Sequence, residues 1–289
     1  MRLGLLCSGG LGYKVLDHLL TKYKIHFIFT DSGSAEIIKL CKDKEIDAFI
    51  GNPRNGRSKD FLQNRDVDVL ISVNYLFIIE KDIIEIANKL AFNIHGSLLP
   101  KYRGRTPHVW SIINGESEAG VTAHLIDEGC DTGPIIEQKR VEIHPKDTGA
   151  KLLEKYKIIY IPLIESILNK INSGIDINFV KQDETKSTYF GKRTPKDGEI
   201  NWDWHKERIY NWVRAQAWPY PGAFTFYKGN RVIIDEVDFS ESGFSWDMPN
   251  GLVLGSGAET LIKTPNGVVK ISAFREKNII LEKNIVLGL

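Results

Sequence analysis

Residues 67–73, Val-Asp-Val-Leu-Ile-Ser-Val, and residues 91–94, Ala-Phe-Asn-Ile, are short apolar runs typical of buried β-strands. Between them, Glu80–Leu90 has the apolar spacing of a helix. The same alternation extends towards the amino terminus, with apolar runs at Leu3–Cys7, Ile25–Thr30 and Ala48–Ile50 and helical patterns at Leu11–Lys22 and Ala35–Lys44. Apolar strands that alternate with helices predict a Rossmann-like α/β fold, in which a mostly parallel sheet has helices on both faces.

Two further apolar runs, Val121–Ile126 and Ile135–Ile143, predict two more strands, and Lys151–Asn172 predicts a long amphipathic helix that closes this domain. We therefore predict a catalytic domain over residues 1–181. The next segment, 182–200, is polar and contains Gly191, Pro195 and Gly198, which favours a linker.

Residues 201–289 have a different pattern, which predicts a second, β-rich domain. Arg208–Gln216 has the spacing of a short helix, and five strand candidates follow at Ala223–Tyr227, Arg231–Phe239, Gly251–Leu254, Thr260–Thr264 and Val268–Ala273. Lys228-Gly229-Asn230 and Asn266-Gly267 are hairpin-turn signals. Five short strands at this spacing favour a small β-barrel-like, OB-like domain.

Composition excludes several classes of function. The 289 residues carry 38 basic and 37 acidic side chains, a balance that gives no sign of an electrostatic nucleic-acid binder. No apolar run reaches the length of a signal peptide or a membrane span. Cys7, Cys41 and Cys130 are widely spaced, which indicates free thiols in a reducing compartment, so we expect a cytoplasmic protein. The histidines lack metal-ligand spacing, and no metal site is predicted.

The chemistry of the chain is indicated by Asn93-Ile94-His95-Gly96-Ser97-Leu98-Leu99-Pro100 and by Asp131. Side chains two residues apart on a strand point to the same face, so Asn93 and His95 belong together at the end of a predicted strand. Asp131 lies in the loop between the next two predicted strands. An amide can polarise a carbonyl, an imidazole can move a proton, and a carboxylate can hold the imidazole. This trio predicts acyl transfer, although a lone buried histidine is more often a core residue.

A second candidate motif, Ser8-Gly9-Gly10-Leu11-Gly12, follows the first predicted strand and opens a helix, and Asp31 follows the second strand. The dinucleotide-binding fingerprint fails because Val15 occupies its third glycine position. A tight strand-to-helix turn is therefore favoured over a bound phosphate, and a nicotinamide cofactor is disfavoured.

The sequence resembles the formyltransferases that use N10-formyltetrahydrofolate. The resemblance is carried by the 93–100 motif, Tyr102-Arg103-Gly104, Gly120-Val121-Thr122 and Asp131-Thr132-Gly133. The motifs Gly191-Lys192-Arg193-Thr194-Pro195-Lys196-Asp197 and Trp218-Pro219, with Trp202, extend it to the nucleotide-sugar N-formyltransferases. Within that family the chain looks most similar to enzymes that act on a nucleoside-diphosphate-linked 4-amino-4-deoxy sugar.

The resemblance implies a role for each motif. His95 would be the general acid and base, Asn93 would stabilise the oxyanion, and Asp131 would orient and tune His95. Folate binding is implied for Phe77, Ile78, Ile79, Arg105, Asp127, Glu128, Gly129 and Cys130. Binding of the nucleotide sugar is implied for Tyr75, Lys192, Arg193 and Arg214, and one residue of the Trp202–Tyr220 aromatic cluster could stack on the base.

Other functions remain open at this point. Methionyl-tRNA formyltransferase has the same two-domain plan, but the second domain here is not distinctly basic, and a tRNA substrate would need a basic surface. An inert or NAD-binding α/β protein and a formyl-folate hydrolase are the alternatives from other classes. The resemblance further implies a role in bacterial surface-polysaccharide (lipopolysaccharide O-antigen) synthesis, and it is compatible with a homodimer that no segment of the sequence demonstrates.

Overall fold

The computed structural model describes residues 1–257 and 259–288. The chain divides into two compact units. The first contains Met1–Gly104, Gly120–Val141 and Lys155–Phe190, and the second contains Arg105–Ala119, Glu142–Glu154 and Gly191–Leu289. The domain boundaries drawn from the sequence, 1–181, 182–200 and 201–289, stay predictions.

The regular elements of the described residues follow the predicted alternation. The strands are β1 (Arg2–Cys7), β2 (Lys24–Thr30), β3 (Asp47–Ile50), β4 (Val67–Val73), β5 (Ala87–His95), β6 (Arg103–Gly104), β7 (Glu118–Leu125), β8 (Ile135–Glu142), β9 (Tyr189–Phe190), β10 (Ala223–Tyr227), β11 (Asn230–Ser240), β12 (Val253–Gly255), β13 (Thr260–Thr264) and β14 (Gly267–Phe274). The helices are α1 (Gly9–Leu20), α2 (Ala35–Asp43), α3 (Lys59–Leu62), α4 (Lys81–Ile84), α5 (Pro107–Ile113), α6 (Gly149–Asn172) and α7 (Lys206–Ala215).

Seven strands form one sheet in the order β3-β2-β1-β4-β5-β7-β8. The pairs among β1 to β5 are parallel, and β7 joins β5 antiparallel. The strand order reverses between β1 and β4, and ligands of such sheets bind beyond the carboxyl ends of the strands near this point. The predicted mostly parallel α/β sheet is confirmed.

The register of this sheet aligns the carboxyl ends of several strands, so that the loops after them begin at one edge. Cys7 pairs with Val73, and Val73 pairs with Ile94. The residues that follow β1, β4 and β5 therefore leave the sheet at the same edge. On the far side of β5, His95 lies opposite Thr122 of β7. The end of β5 thus lies between a parallel and an antiparallel neighbour.

The helix predicted over Glu80–Leu90 is wrong in its second half. Only Lys81–Ile84 is helical, and β5 already begins at Ala87, which pairs with Val67 of β4. Leu90, Phe92 and Ile94 are buried at alternate positions, as in a strand. Pairing with β4 therefore overrides a local pattern that also suits a helix. The short helices α3 and α5 were not predicted, although Pro107 in the first turn of α5 is a helix-start signal.

The second unit contains a curled antiparallel sheet in the order β10-β11-β14-β13-β12, which confirms the five predicted strands. Lys228 and Gly229 both have positive φ, at 48° and 74°, as a type I′ hairpin turn requires. Register shifts in β11 near Glu236 bend the sheet. Its core residues include Val232, Ile234, Val253, Ile262 and Val269.

Candidate active site

The structure brings Asn93, His95 and Asp131 together at the carboxyl end of β5. Asn93 and His95 are two residues apart on this strand, and Asp131 belongs to the loop between β7 and β8. Nδ1 of His95 lies 3.4 Å from Oδ1 of Asp131, and the two side chains are only 8% and 12% exposed. A sequence separation of 36 residues is closed because β7 pairs with β5 and returns the loop to the strand end.

The imidazole of His95 is oriented by a main-chain carbonyl. Nε2 of His95 lies 2.8 Å from the carbonyl oxygen of Tyr102, which can only accept a hydrogen bond. In the neutral ring, Nε2 therefore carries the proton and Nδ1 is the basic nitrogen, facing Asp131. Burial lowers the pKa of His95 below its usual value, and the carboxylate of Asp131 opposes this shift without cancelling it. A proton added to the ring would therefore go to Nδ1, beside the Asp131 carboxylate.

Asp131 is held as a carboxylate by its surroundings. Burial alone would raise its pKa, but His95, His124 and the main-chain amide of Gly104 outweigh burial and bring the pKa well below the usual range. The Gly104 amide donates to Oδ2 at 3.0 Å. Asp131 itself has φ of 58°, an uncommon backbone conformation for a residue with a side chain.

The loop that carries Asp131 is fastened by a residue that the sequence reasoning missed. Gln182 is buried, and its Nε2 donates to the carbonyl oxygens of Asp131 at 2.9 Å and Gly133 at 2.7 Å. Arg103 in turn donates to Oε1 of Gln182 at 2.8 Å and pairs with Glu184. Gln182 and Glu184 fall in the segment predicted as a linker, and no sequence signal distinguishes this glutamine from a surface residue.

Two further features fix the geometry around the site. A Cβ added to Gly133 would lie 1.9 Å from the carbonyl oxygen of Leu125, so the loop can close only with glycine there. In the turn after His95, Thr122 donates to the carbonyl of Ser97 at 2.6 Å and accepts from the amide of Leu99 at 3.1 Å. The turn after β5 is therefore tied to β7 rather than left to solvent.

Most of the residues predicted to hold folate belong to the first unit, and several of them are exposed. Ile78 is 59% exposed, and the rings of Tyr75 and Phe77 meet edge to face with centroids 5.5 Å apart. In the loop before Asp131, Oδ1 of Asp127 accepts from the Gly129 amide at 3.2 Å, and Glu128, Gly129 and Cys130 are exposed. Arg105 is exposed and belongs to the second unit. Folate binding by these residues stays a prediction.

Tyr75, predicted to bind the sugar substrate, has a buried hydroxyl without a hydrogen-bond partner. Burial raises its pKa, and the nearby Cys7 and Asp31 raise it further. Its role in binding stays a prediction.

In the second unit, two of the three cations predicted to bind the substrate are engaged by protein groups. The guanidinium of Arg193 lies between the rings of Trp110 at 5.0 Å and Trp212 at 4.2 Å. Arg214 donates to the carbonyl of Asp147 at 2.7 Å and to Oδ1 of Asn211 at 2.9 Å. Burial lowers the pKa of both guanidinium groups. Lys192, by contrast, is exposed.

The glycine turn after β1 has the features of a structural turn. The hydroxyl of Ser34 accepts from the Gly9 amide at 2.9 Å and donates to the carboxylate of Asp31 at 2.5 Å. A Cβ on Gly12 would lie 2.9 Å from Cβ of Cys7, so this glycine allows α1 to approach β1. A phosphate in this turn would meet the Asp31 carboxylate, which favours the tight-turn interpretation.

No helix in the part of the chain that the structure describes is both long enough and apolar enough to cross a membrane. No group of three or more His, Cys, Asp or Glu side chains within 1–257 and 259–288 could hold a metal ion.

An amide beside a carboxylate-paired imidazole, at the carboxyl end of a strand in an α/β sheet, is an arrangement suited to acyl transfer. The sequence matches the family model for formyl transferase over residues 36–159 and the model for the formyl transferase C-terminal domain over residues 192–284. The chain therefore belongs to the formyl transferase family, and the resemblance that the motifs indicated is confirmed at this level.

Two relatives are similar in sequence to most of the chain. It is 35% identical over 290 residues to the bifunctional polymyxin resistance protein ArnA of Wigglesworthia glossinidia brevipalpis, an alignment that covers 98% of this chain but 43% of that protein. It is also 35% identical over 229 residues to the methionyl-tRNA formyltransferase of Thermodesulfovibrio yellowstonii, covering 78% of this chain and 72% of the relative.

Among solved structures, the fold is similar to that of an N-formyltransferase from Helicobacter canadensis in complex with folinic acid and dTDP-3-aminofucose. The TM-score is 0.75 at 20% identity, and the match covers 95% of this chain and 99% of the other. At this identity the likeness shows the fold alone.

Proposed function

We propose that the chain transfers the formyl group of N10-formyltetrahydrofolate to the amino group of a nucleoside-diphosphate-linked 4-amino-4-deoxy sugar, such as dTDP-4-amino-4,6-dideoxyglucose or UDP-4-amino-4-deoxyarabinose. The observation that carries this proposal is the trio at the end of β5: Nδ1 of His95 lies 3.4 Å from the Asp131 carboxylate, with Asn93 on the same strand. A family of formyl transferases and a site suited to acyl transfer point to the same reaction.

In the proposed mechanism, Asn93 donates an amide N–H to the formyl oxygen as negative charge develops there. The sugar amine forms the new C–N bond to the formyl carbon and gives up a proton. His95 accepts that proton at Nδ1, where the Asp131 carboxylate stabilises the resulting imidazolium. The C–N10 bond then breaks, and His95 returns the proton to N10 of the folate.

Two observations favour the sugar substrate over tRNA: the balanced charge of the second domain, and the share of the chain that matches an N-formyltransferase solved with an amino-sugar nucleotide. Residues 201–289 contain ten lysines and arginines and ten aspartates and glutamates, so the second domain lacks the excess positive charge that a phosphate backbone attracts. The Helicobacter structure, determined with an amino-sugar nucleotide, matches nearly the whole of this chain. The 4-amino position itself rests on the resemblance of the chain as a whole within the nucleotide-sugar N-formyltransferase family.

Methionyl-tRNA formyl transfer is the second candidate, because the Thermodesulfovibrio enzyme is as similar in identity, at 35%, as the polymyxin resistance protein. The two candidates differ in their dependence on salt. An affinity for tRNA should fall steeply between low and moderate salt, whereas binding of a nucleotide sugar should change little.

The test is mass spectrometry of the products formed from N10-formyltetrahydrofolate and a panel of nucleotide-linked 3-amino and 4-amino sugars. We expect one 4-amino sugar to gain the mass of one formyl group. Formylation of a 3-amino sugar alone would correct the position of the amine. Formylation of initiator methionyl-tRNA and of no sugar would overturn the proposed substrate.

A further inference from the structure

A second histidine, His124, faces the proposed oxyanion donor. It lies on β7 directly opposite Asn93 of β5, and it is 3% exposed. Nδ2 of Asn93 lies 3.1 Å from Nε2 of His124, and Nδ1 of His124 lies 2.8 Å from the carbonyl oxygen of Leu125. So far this buried side chain has entered only as one of the groups that lower the pKa of Asp131.

The two partners of His124 determine which ring nitrogen carries its proton. The Leu125 carbonyl can only accept, so Nδ1 must be the donor. In the neutral ring Nε2 is then an acceptor, and it receives an N–H of the Asn93 amide. The side-chain nitrogen of Asn93 therefore faces His124, and its second N–H is left to donate elsewhere.

A primary amide that is not held can rotate by half a turn and present its oxygen in place of its nitrogen. An oxygen facing the formyl group would repel the developing oxyanion instead of stabilising it. Because His124 accepts only from nitrogen in this tautomer, the rotated amide would place oxygen against an unprotonated ring nitrogen. The rotated state is thereby disfavoured.

We propose that His124 is a positioning residue that fixes the Asn93 amide with an N–H available to the formyl oxygen. This inference rests on the proposed role of Asn93. Within the trio, Asp131 competes for the same ring nitrogen, since its Oδ1 lies 3.6 Å from Nε2 of His124. The shorter contact to Asn93, at 3.1 Å, supports the acceptor role.

A double-mutant cycle tests the inference. His124→Phe removes the acceptor, and we expect kcat to fall between about 10- and 100-fold with KM nearly unchanged, less than the roughly 10²- to 10³-fold cost of deleting an oxyanion donor. In an Asn93→Ala background the same change should cost less than about twofold, because its target is gone. Effects that multiply in the double variant would overturn the proposal, since a purely structural role would act independently of Asn93.

The conservative variant and a matched control complete the design. His124→Gln offers a side-chain oxygen to the Asn93 amide and should retain more kcat than His124→Phe. His26→Phe, a histidine replacement near the amino end of β2 in the same sheet, should leave kcat unchanged. If His124→Phe does not fold, the same double-mutant cycle is measured with His124→Gln alone and with the double variant His124→Gln, Asn93→Ala.

A spectroscopic measurement needs no acceptor substrate. In the ¹H–¹⁵N spectrum of histidine side chains near pH 7, we expect His124 to show a protonated Nδ1 and an unprotonated Nε2. A protonated Nε2 would contradict the inference. Because this readout is independent of turnover, it separates failure of the His124 assignment from failure of the proposed sugar substrate.

Discussion

The predicted site residues at the end of β5 lie close to one another, whereas two of the predicted binding arginines in the second unit are held by other protein groups. At β5, the side chains that the motif selected lie close together, with His95 and Asp131 3.4 Å apart. In the second unit, Arg193 is stacked between two tryptophans, and Arg214 is bound to main-chain carbonyls. A short polar side chain on a strand end is placed by the backbone itself. A long flexible guanidinium takes whatever partners the tertiary structure offers.

Removal of the imidazole of His95 should have the largest effect on activity. We expect His95→Ala to lower kcat by about 10³-fold, because a positioned general acid–base contributes about 10² to 10⁴. The melting temperature should change little relative to the effect on rate. Steady-state kinetics with the accepted amino sugar and a thermal melt measure both. Turnover close to that of the unmodified protein would remove His95 from the mechanism.

Asp131→Asn tests the electrostatic half of the same site. The carboxylate raises the pKa of His95 against the larger lowering by burial, so its removal should lower that pKa further. In the unmodified protein, activity should fall on the acid side only below about pH 6.5, the value for an unperturbed histidine. In Asp131→Asn the acid limb should move to still lower pH, with kcat reduced about 10²-fold. A limb that moves to higher pH would contradict the assigned direction.

Gly133→Ala tests whether activity depends on the conformation of the loop that carries Asp131, and not only on the three side chains of the trio. A Cβ would meet the Leu125 carbonyl at 1.9 Å, so the loop carrying Asp131 must shift. We expect a loss of about 2 kcal/mol in the free energy of unfolding and a fall in kcat. Gly10→Ala is the matched control, since a Cβ there meets nothing within 4 Å. Equal behaviour of the two variants in denaturant titration and kinetics would show that the clash is relieved without cost.

Arg193→Met tests whether the stacked arginine of the second unit stabilises the fold. Loss of contacts with Trp110 and Trp212 and of the hydrogen bond to Gln216 should lower the free energy of unfolding by about 1 to 2 kcal/mol. Lys192→Met, which changes an exposed neighbour, should leave stability within about 0.5 kcal/mol. Chemical denaturation compares them. If Arg193→Met instead raises KM for the nucleotide sugar without loss of stability, its predicted role in binding is favoured over the structural one.

Much of the fold was predictable because strand and helix periods are local properties. The parallel sheet and the five later strands were expected at nearly their observed positions. The exception at Glu80–Leu90 is instructive, since Ala87–Leu90 becomes strand through pairing with β4. Gln182 and His124 could not be assigned their places from the sequence, because their partners lie 49 to 51 and 31 residues away along the chain.

The sequence by itself determined the α/β class, the family and the presence of an amide, an imidazole and a carboxylate suited to formyl transfer. It could do so because these depend on periodicity and on a motif whose spacing the backbone converts directly into position. The three-dimensional structure was needed to show which nitrogen of His95 is basic, that the surroundings of Asp131 lower the pKa of its carboxyl group, and that Arg193 is stacked between two tryptophans. Those properties depend on burial and on partners distant in the chain, which change pKa values and hydrogen bonds without any local signature.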